Sequence, residues 1–328
     1  MSHRLGEFAR IDRFLKPLAR DTEGALGLVD DAGLIAPPPD RQLVVTTDAM
    51  VEGVHYLPGG DPARLGRKLL RVNLSDLAAM GAEPLAYTLT TVLPADLEDD
   101  WLERLAAGLG EDQKRFGIGL LGGDSVSTPG PVVLSVTAMG TVAPGRALTR
   151  AGARPGDRVY ASGTLGDGHL GLYAARGELS GSDVDAATAA ALAGRYHLPE
   201  PRLTVGRGLA GLATALIDVS DGLPGDLGHI CAASGVGARV EAARVPLSPA
   251  ARTVVAARPD LMRIALAGGD DYELLFAAPP GAADAVAALA ADTGVPLTPI
   301  GEIVAGTGVA IVDADGRPIP GLSGWSHF

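Results

Sequence analysis

Apolar residues recur along the chain with two periods, one suited to helices and one to strands. Leu5, Phe8, Ile11 and Leu15 fall on one side of a short amphipathic helix over residues 4–20. An unbroken apolar run at 25–29 reads as a strand ending in Asp30-Asp31. Pro37-Pro38-Pro39-Asp40 then breaks the chain before a second strand, 42–46, which runs into Thr46-Thr47-Asp48. Leu70, Leu74 and Leu77 give a helix over 62–80 its core-facing stripe, and Asn73 and Asp76 share another face of it. Alternation at 85–92 predicts a strand, and Trp101, Leu105 and Leu109 predict a helix over Asp99–Phe116. Two further strands follow: 118–121, ending in Gly122-Gly123-Asp124, and 132–142.

The connector-like composition of 144–155 puts a domain boundary there, giving units 1–147 and 148–328. The second unit opens with a strand at 157–162, a glycine-rich turn and a helix. An alanine-rich helix follows at 186–193, and then a strand at 214–217 ending in Asp218-Val219-Ser220-Asp221-Gly222. After a helix through Ala233, a strand at 264–267 is expected to end in Gly268-Gly269-Asp270-Asp271-Tyr272-Glu273. A helix (282–292), a strand (297–303) and a hairpin (309–319, turned at Asp315-Gly316) complete a ferredoxin-like pattern. The expected fold class is α+β in two domains, with a mixed N-terminal sheet.

Composition narrows the function. With 328 residues, 47% of them apolar, and a mean hydropathy of +0.21, the chain can fill two cores. No apolar run reaches the roughly 18 residues of a membrane helix, and the first residues hold no signal core. A lone cysteine, Cys231, suits a reducing compartment, so a cytoplasmic location is expected. The net charge of -12 argues against nucleic acid as a partner.

The chemistry lies in a recurring arrangement, an apolar run followed by a small residue and a carboxylate. It occurs at Asp30, Asp48, Asp124, Asp218/Asp221 and Asp270/Asp271. Any one of these serves equally well as a turn former or helix cap. Together with Asp76 they suggest one metal-phosphate centre with oxygen-only donors, which suits Mg²⁺ or Mn²⁺ and not zinc. No P-loop motif is present. Gly166-Asp167-Gly168-His169-Leu170-Gly171 matches a dinucleotide fingerprint in form, but a tight strand-to-helix turn explains it as well. On local sequence, His55 and Arg150 suit either phosphate contact or a solvated loop, and Trp325 either core or a lid over a ligand.

In order along the chain, these blocks, with Val54-His55-Tyr56, the Asn73–Ala82 stretch, Leu148-Thr149-Arg150, Pro155-Gly156-Asp157 and the closing Gly324-Trp325-Ser326-His327-Phe328, closely resemble the thiamine-monophosphate kinases of the aminoimidazole-ribonucleotide-synthetase-like superfamily. The resemblance implies an N-terminal sheet that pairs with a second subunit in an intersubunit barrel, making a homodimer, and a C-terminal α/β domain closing the active site. It implies transfer of a phosphoryl group from ATP, the co-substrate, to thiamine monophosphate. By position, Asp30, Thr46, Thr47, Asp48, Asp76, Asp124, Asp218 and Asp221 would hold several Mg²⁺ ions. Gly123, Asp124, Arg150 and Ser220 would contact ATP, and His55, Asp270 and Trp325 the acceptor. No dedicated catalytic base is implied. Three features depart from the family pattern: Val29 stands before Asp30 where Gly is usual, Asp270 where Glu is common, and the loop 125–131 is long and lacks the usual Arg. A sister ATP-dependent synthetase and a non-catalytic nucleotide-binding dimer remain alternatives.

Overall fold

The computed structural model describes residues 5–179 and 184–325, so Arg4 and the closing Ser326-His327-Phe328 lie outside the described residues. The chain divides into two units, residues 1–77 with 82–144 and residues 78–81 with 145–328.

In the first unit, helix α1 (Glu7–Arg10) passes into a π-helical turn, Ile11–Leu15, and a 3-10 turn, Lys16–Ala19. The expected single helix is therefore three successive geometries, and Pro17, which cannot donate, sits where the last begins. Phe14 and Leu15 are buried, whereas Phe8 points outward. The strand expected at 25–29 is absent. Leu26–Leu28 is a 3-10 turn in which Leu26, Gly27 and Leu28 all have φ between 51° and 66°, a left-handed run that no strand can contain. Asp30 and Asp31 follow in an exposed bend.

Strand β1 (Gln42–Val51), helix α2 (Pro62–Ala79), strand β2 (Glu83–Pro94), helix α3 (Asp99–Phe116), and strands β3 (Gly119–Thr128) and β4 (Val133–Val142) complete this unit. The sheet order is β1-β4-β2-β3, antiparallel except for the β2–β3 pair. That parallel pair is joined by α3, as a parallel connection requires. Leu69, Leu70, Leu74 and Leu77 of α2 and Leu102, Leu105 and Leu109 of α3 are buried, while Trp101 is only half-buried. Between the helices, buried Asp112 accepts from Arg71 and Arg67. Two strands outrun expectation. Pairing continues through Asp48 (opposite Val136) and Asp124 (opposite Thr90), so both aspartates lie within strands and not at their ends.

The second unit runs β5 (Arg158–Ser162), α4 (Asp167–Ala175), α5 (Ala186–His197), α6 (Leu203–Gly208), β6 (Ala215–Asp218), α7 (Leu223–Ser234), β7 (Gly237–Glu241), α8 (Pro249–Ala257), α9 (Met262–Ala267), β8 (Leu274–Ala278), α10 (Ala283–Thr293), β9 (Leu297–Val304) and β10 (Gly308–Val312). Its mixed sheet has the order β10-β7-β9-β5-β8-β6. Val159, Ile217, Leu275, Ile300 and Ile303 of the sheet pack with Leu223, Leu227 and Ile230 of α7. A second cluster, including Leu170, Leu192, Val254 and Leu261, joins α4, α5 and α8. The expected strand at 264–267 is part of helix α9, with Ala265 and Leu266 turned inward. Four apolar residues are too few for periodicity to tell helix from strand. The Gly268–Glu273 motif therefore precedes a strand, β8, instead of ending one. The terminal hairpin has only one full arm, closed by the Val312–Pro318 bridge and a bond from Ile319 N to Ile311 O.

Candidate functional site

Helix α2 and strand β1 build the first cluster. Asn73 is fully buried; its Nδ2 donates to Leu69 O at 2.9 Å, and its Oδ1 accepts from Asp48 N at 3.2 Å. One turn on, the Asp76 carboxylate accepts from Thr46 Oγ1 at 2.5 Å. The helix is thus stapled to the strand through side chains, and Thr46, Asp48 and Asp76 are brought together. Strand alternation sends Thr47 to the opposite, exposed face, where Thr137 Oγ1 donates to Thr47 Oγ1 at 3.1 Å. Asp124 shares that open face through the register Asp124–Thr90–Ser135–Ala49. β1 and β3 are opposite edges of the sheet, so about 14 Å separates Asp124 from Ala49 across it, and Thr47 lies two residues further along β1. Asp30 lies in the exposed bend after the left-handed turn. His55 closes a tight turn after β1: its Nδ1 accepts from Val51 N at 3.0 Å, which places the neutral ring's proton on Nε2.

Gly123 has a structural cause of its own. A Cβ there would stand 1.9 Å from Leu89 O, so the close β2–β3 pairing requires glycine. Gly122 faces open space.

In the second unit, two loops are zipped together. Asp218 ends β6, buried, and Ser220-Asp221-Gly222 leads into α7. Asp226 in the first turn of α7 accepts from Asp221 N and Gly222 N, both at 3.0 Å. Burial pushes the Asp226 carboxyl up to about 7 against the pull of these two bonds, and the nearby Asp221 charge adds to the rise. Across from it, Asp270 N donates to Ser220 O (2.9 Å) and Tyr272 N to Val219 O (2.8 Å). The tail joins here as well, with Trp325 N donating to Asp221 O at 2.9 Å and Trp325 59% exposed. Arg150 presents an exposed side chain, and its carbonyl accepts from Ser234 Oγ.

Behind Asp270, the fully buried carboxyl of Asp271 accepts from Gly166 N at 2.6 Å and Gly168 N at 2.8 Å. Burial drives it well above the usual carboxylate range. A Cβ on Gly168 would stand 2.2 Å from Asp270 O. In the Gly-x-Gly-x-x-Gly string, that glycine is therefore required by the close approach of this loop. Glu273, also buried, accepts from Ser162 Oγ, Arg195 and, bidentately, Arg202. Asp226, Asp271 and Glu273 escaped the sequence reading as organisers of the site. Only the acidic first turn of α7 pointed to one of them.

Among the described residues, no three His, Cys, Asp or Glu side chains gather as a ready-made metal cage. Thr46 and Asp76 meet directly, Asp48 lies two residues along the same face of β1 as Thr46, and all three offer oxygen alone. Mg²⁺ is commonly held by one or two carboxylates, with waters and substrate phosphates completing its shell, and this donor chemistry fits it.

The AIR synthase related protein family matches on both sides of the connector, its N-terminal domain over residues 29–142 and its C-terminal domain over 154–314. Thiamine-monophosphate kinase from Caulobacter vibrioides is 45% identical over 98% of this chain and 90% of its own length. Among solved structures, thiamine-monophosphate kinase from Stenotrophomonas maltophilia superposes with a TM-score of 0.84 at 44% identity, covering 96% of this chain and 98% of that one. AaThiL complexed with AMPPCP and TMP gives a TM-score of 0.77 at 30% identity over the whole of both chains. With these matches covering both units, the chain belongs to the thiamine-monophosphate kinase family, within the AIR synthase related proteins.

Proposed function

We propose that this protein transfers the γ-phosphoryl group of ATP to thiamine monophosphate, releasing thiamine diphosphate and ADP. The observation that carries the reading is its full-length similarity to thiamine-monophosphate kinases, one of them solved with AMPPCP and TMP. The acceptor is itself a phosphate, with a second pKa of about 6, so its attacking oxygen is largely deprotonated at neutral pH. No side chain has to remove a proton. The difficulty is electrostatic, since two polyanions must meet in line.

Thr46, Asp48 and Asp76, on the α2 side of β1, are proposed to hold Mg²⁺, and Asp30, Thr47, Asp124, Asp218 and Asp221 are proposed to hold further Mg²⁺ ions, Thr47 and Asp124 from the open face of the sheet. Bound there, Mg²⁺ would neutralise phosphate repulsion and favour an in-line geometry. Asn73 fixes the Asp48 backbone against α2, and Thr46 orients the Asp76 carboxylate, so that carboxylate is pre-positioned for its load. Gly123, Asp124, Arg150 and Ser220 are assigned to ATP; a guanidinium such as that of Arg150 can grip phosphate oxygens in pairs. His55, through Nε2–H, Asp270 and the exposed Trp325 ring are assigned to the acceptor, the ring offering a stacking face.

The N-terminal domain, 1–147, would bind metal and ATP and dimerise, and 148–328 would be a ferredoxin-like α/β domain that closes the site. Leu43, Val45 and Val126 are exposed on the open face of the N-terminal sheet, and we assign that face to a second copy of the chain, as an intersubunit barrel. No described helix is long and apolar enough to cross a membrane. We assign the protein to the cytoplasm, where a lone cysteine such as the buried Cys231 stays reduced. The test is chromatography of the purified protein's products from ATP, Mg²⁺ and thiamine monophosphate, with EDTA and unphosphorylated thiamine as controls. Thiamine diphosphate formed only with metal and only from the monophosphate is the expected result; its absence would reject the reading.

A further inference from the structure

The loop that carries Asp270 is built in an unfavourable backbone conformation. Asp270 has φ 69° and Tyr272 φ 52°, both left-handed and neither glycine, with Asp271 between them. Such conformations persist only where the surroundings over-determine them. Here those surroundings can be named. The Asp271 side chain points away from the loop's open side and accepts both the Gly166 and Gly168 amides at the start of α4. The two left-handed residues thus flank a carboxyl that both amides hold in place. On the other flank, Asp270 N and Tyr272 N are fixed on Ser220 O and Val219 O, and Tyr272 Oη donates to Asp270 Oδ1 at 3.2 Å. Gly168 leaves no room for the loop to retreat, because its backbone lies against Asp270 O.

We propose that Asp271, with Tyr272 as its second support, is a positioning residue that aims the Asp270 carboxylate at the acceptor and so sets the affinity for thiamine monophosphate. The proposal rests on the assignment of Asp270 to the acceptor made above. Asp271 touches no substrate; it acts through the backbone of its neighbour. The one-methylene arm of Asp270 makes that aim demanding, since it has little freedom to correct a misdirected backbone.

The test is a double-mutant cycle on the full chain, reading kcat and both KM values. Asp271→Asn keeps the shape but can accept only one of the two amides, and is expected to raise the KM for thiamine monophosphate about tenfold, with kcat and the KM for ATP changed less than about twofold. In an Asp270→Ala background the same substitution should raise it no further. Tyr272→Phe, which keeps the backbone intact, should give a smaller rise of about threefold that also vanishes in the Asp270→Ala background. This variant decides the matter if Asp271→Asn does not fold. Multiplicative effects in the double variants, an equal loss for ATP, or an Asp270→Ala enzyme with unchanged KM for the acceptor would overturn the proposal. A wild-type protein that forms no thiamine diphosphate would instead reject the kinase reading itself.

Discussion

Glu273 is a buried carboxylate bound by one hydroxyl and two guanidinium groups, and replacing it with Gln isolates what its charge contributes. Its two oxygens accept from Ser162 Oγ at 2.6 Å, Arg195 Nη2 at 3.0 Å and both Nε and Nη2 of Arg202. Burial alone would lower the Arg202 pKa, but the hydrogen bonds and charge of Glu273 raise it above the usual value. Gln keeps the volume, removes the charge and turns an amide N–H₂ toward guanidinium donors. One negative charge facing two positive ones becomes none facing two. Removing one partner of a buried ion pair typically costs about 3–5 kcal/mol. The Arg195 and Arg202 side chains keep 25% and 16% of their exposure, so water relieves part of this and the lower end, about 3 kcal/mol, is expected. Urea unfolding followed by circular dichroism reads this out. At a slope near 3 kcal/mol/M the midpoint should fall by about 1 M. A loss below about 1 kcal/mol would refute the reasoning, because it would mean that the arginines find other compensation.

Other consequences follow from the two loop systems and the α2–β1 cluster. Asp76→Asn keeps an acceptor for Thr46 but loses the charge, so turnover should drop about 100-fold or more while the unfolding midpoint stays close to wild type; near-normal kcat would reject the metal role of Asp76. Asp226 has a folded pKa of about 7, against about 3.9 unfolded. The folded chain therefore binds the extra proton between these values, and this group's contribution to stability is full below about pH 4 and lost as pH rises to about 7. Urea midpoints measured without divalent cation should show that slope flattened in Asp226→Asn, and an unchanged slope would contradict the assignment.

Much of the first unit was legible from periodicity. The stripe of Trp101, Leu105 and Leu109 predicts helix Asp99–Phe116 to the residue, and in the structure Gly117, at φ 67°, closes it. Asn73 and Asp76 stood out because polar residues inside an apolar helix need partners, and the partners are Asp48 and Thr46. Other features were illegible for identifiable reasons. The run at 25–29 looks like a strand until the left-handed turn around Gly27 is seen, and 264–267 is too short to carry a period. The true extent of β1 and β3 decides which face Thr47 and Asp124 occupy, and no local signal marks where a strand stops when polar residues alternate along its exposed face. Asp226 and Asp271 look in sequence like any ligand-facing aspartate. Only the fold reveals that their carboxyls are spent on backbone amides.

The most direct measurement follows the phosphoryl group itself. The purified protein is incubated with γ-labelled ATP, Mg²⁺ and thiamine monophosphate, and the products are separated. The account predicts label in the terminal phosphoryl group of thiamine diphosphate, one for each ADP formed, and none when EDTA is present. Label released only as inorganic phosphate, with no labelled thiamine diphosphate, would contradict it.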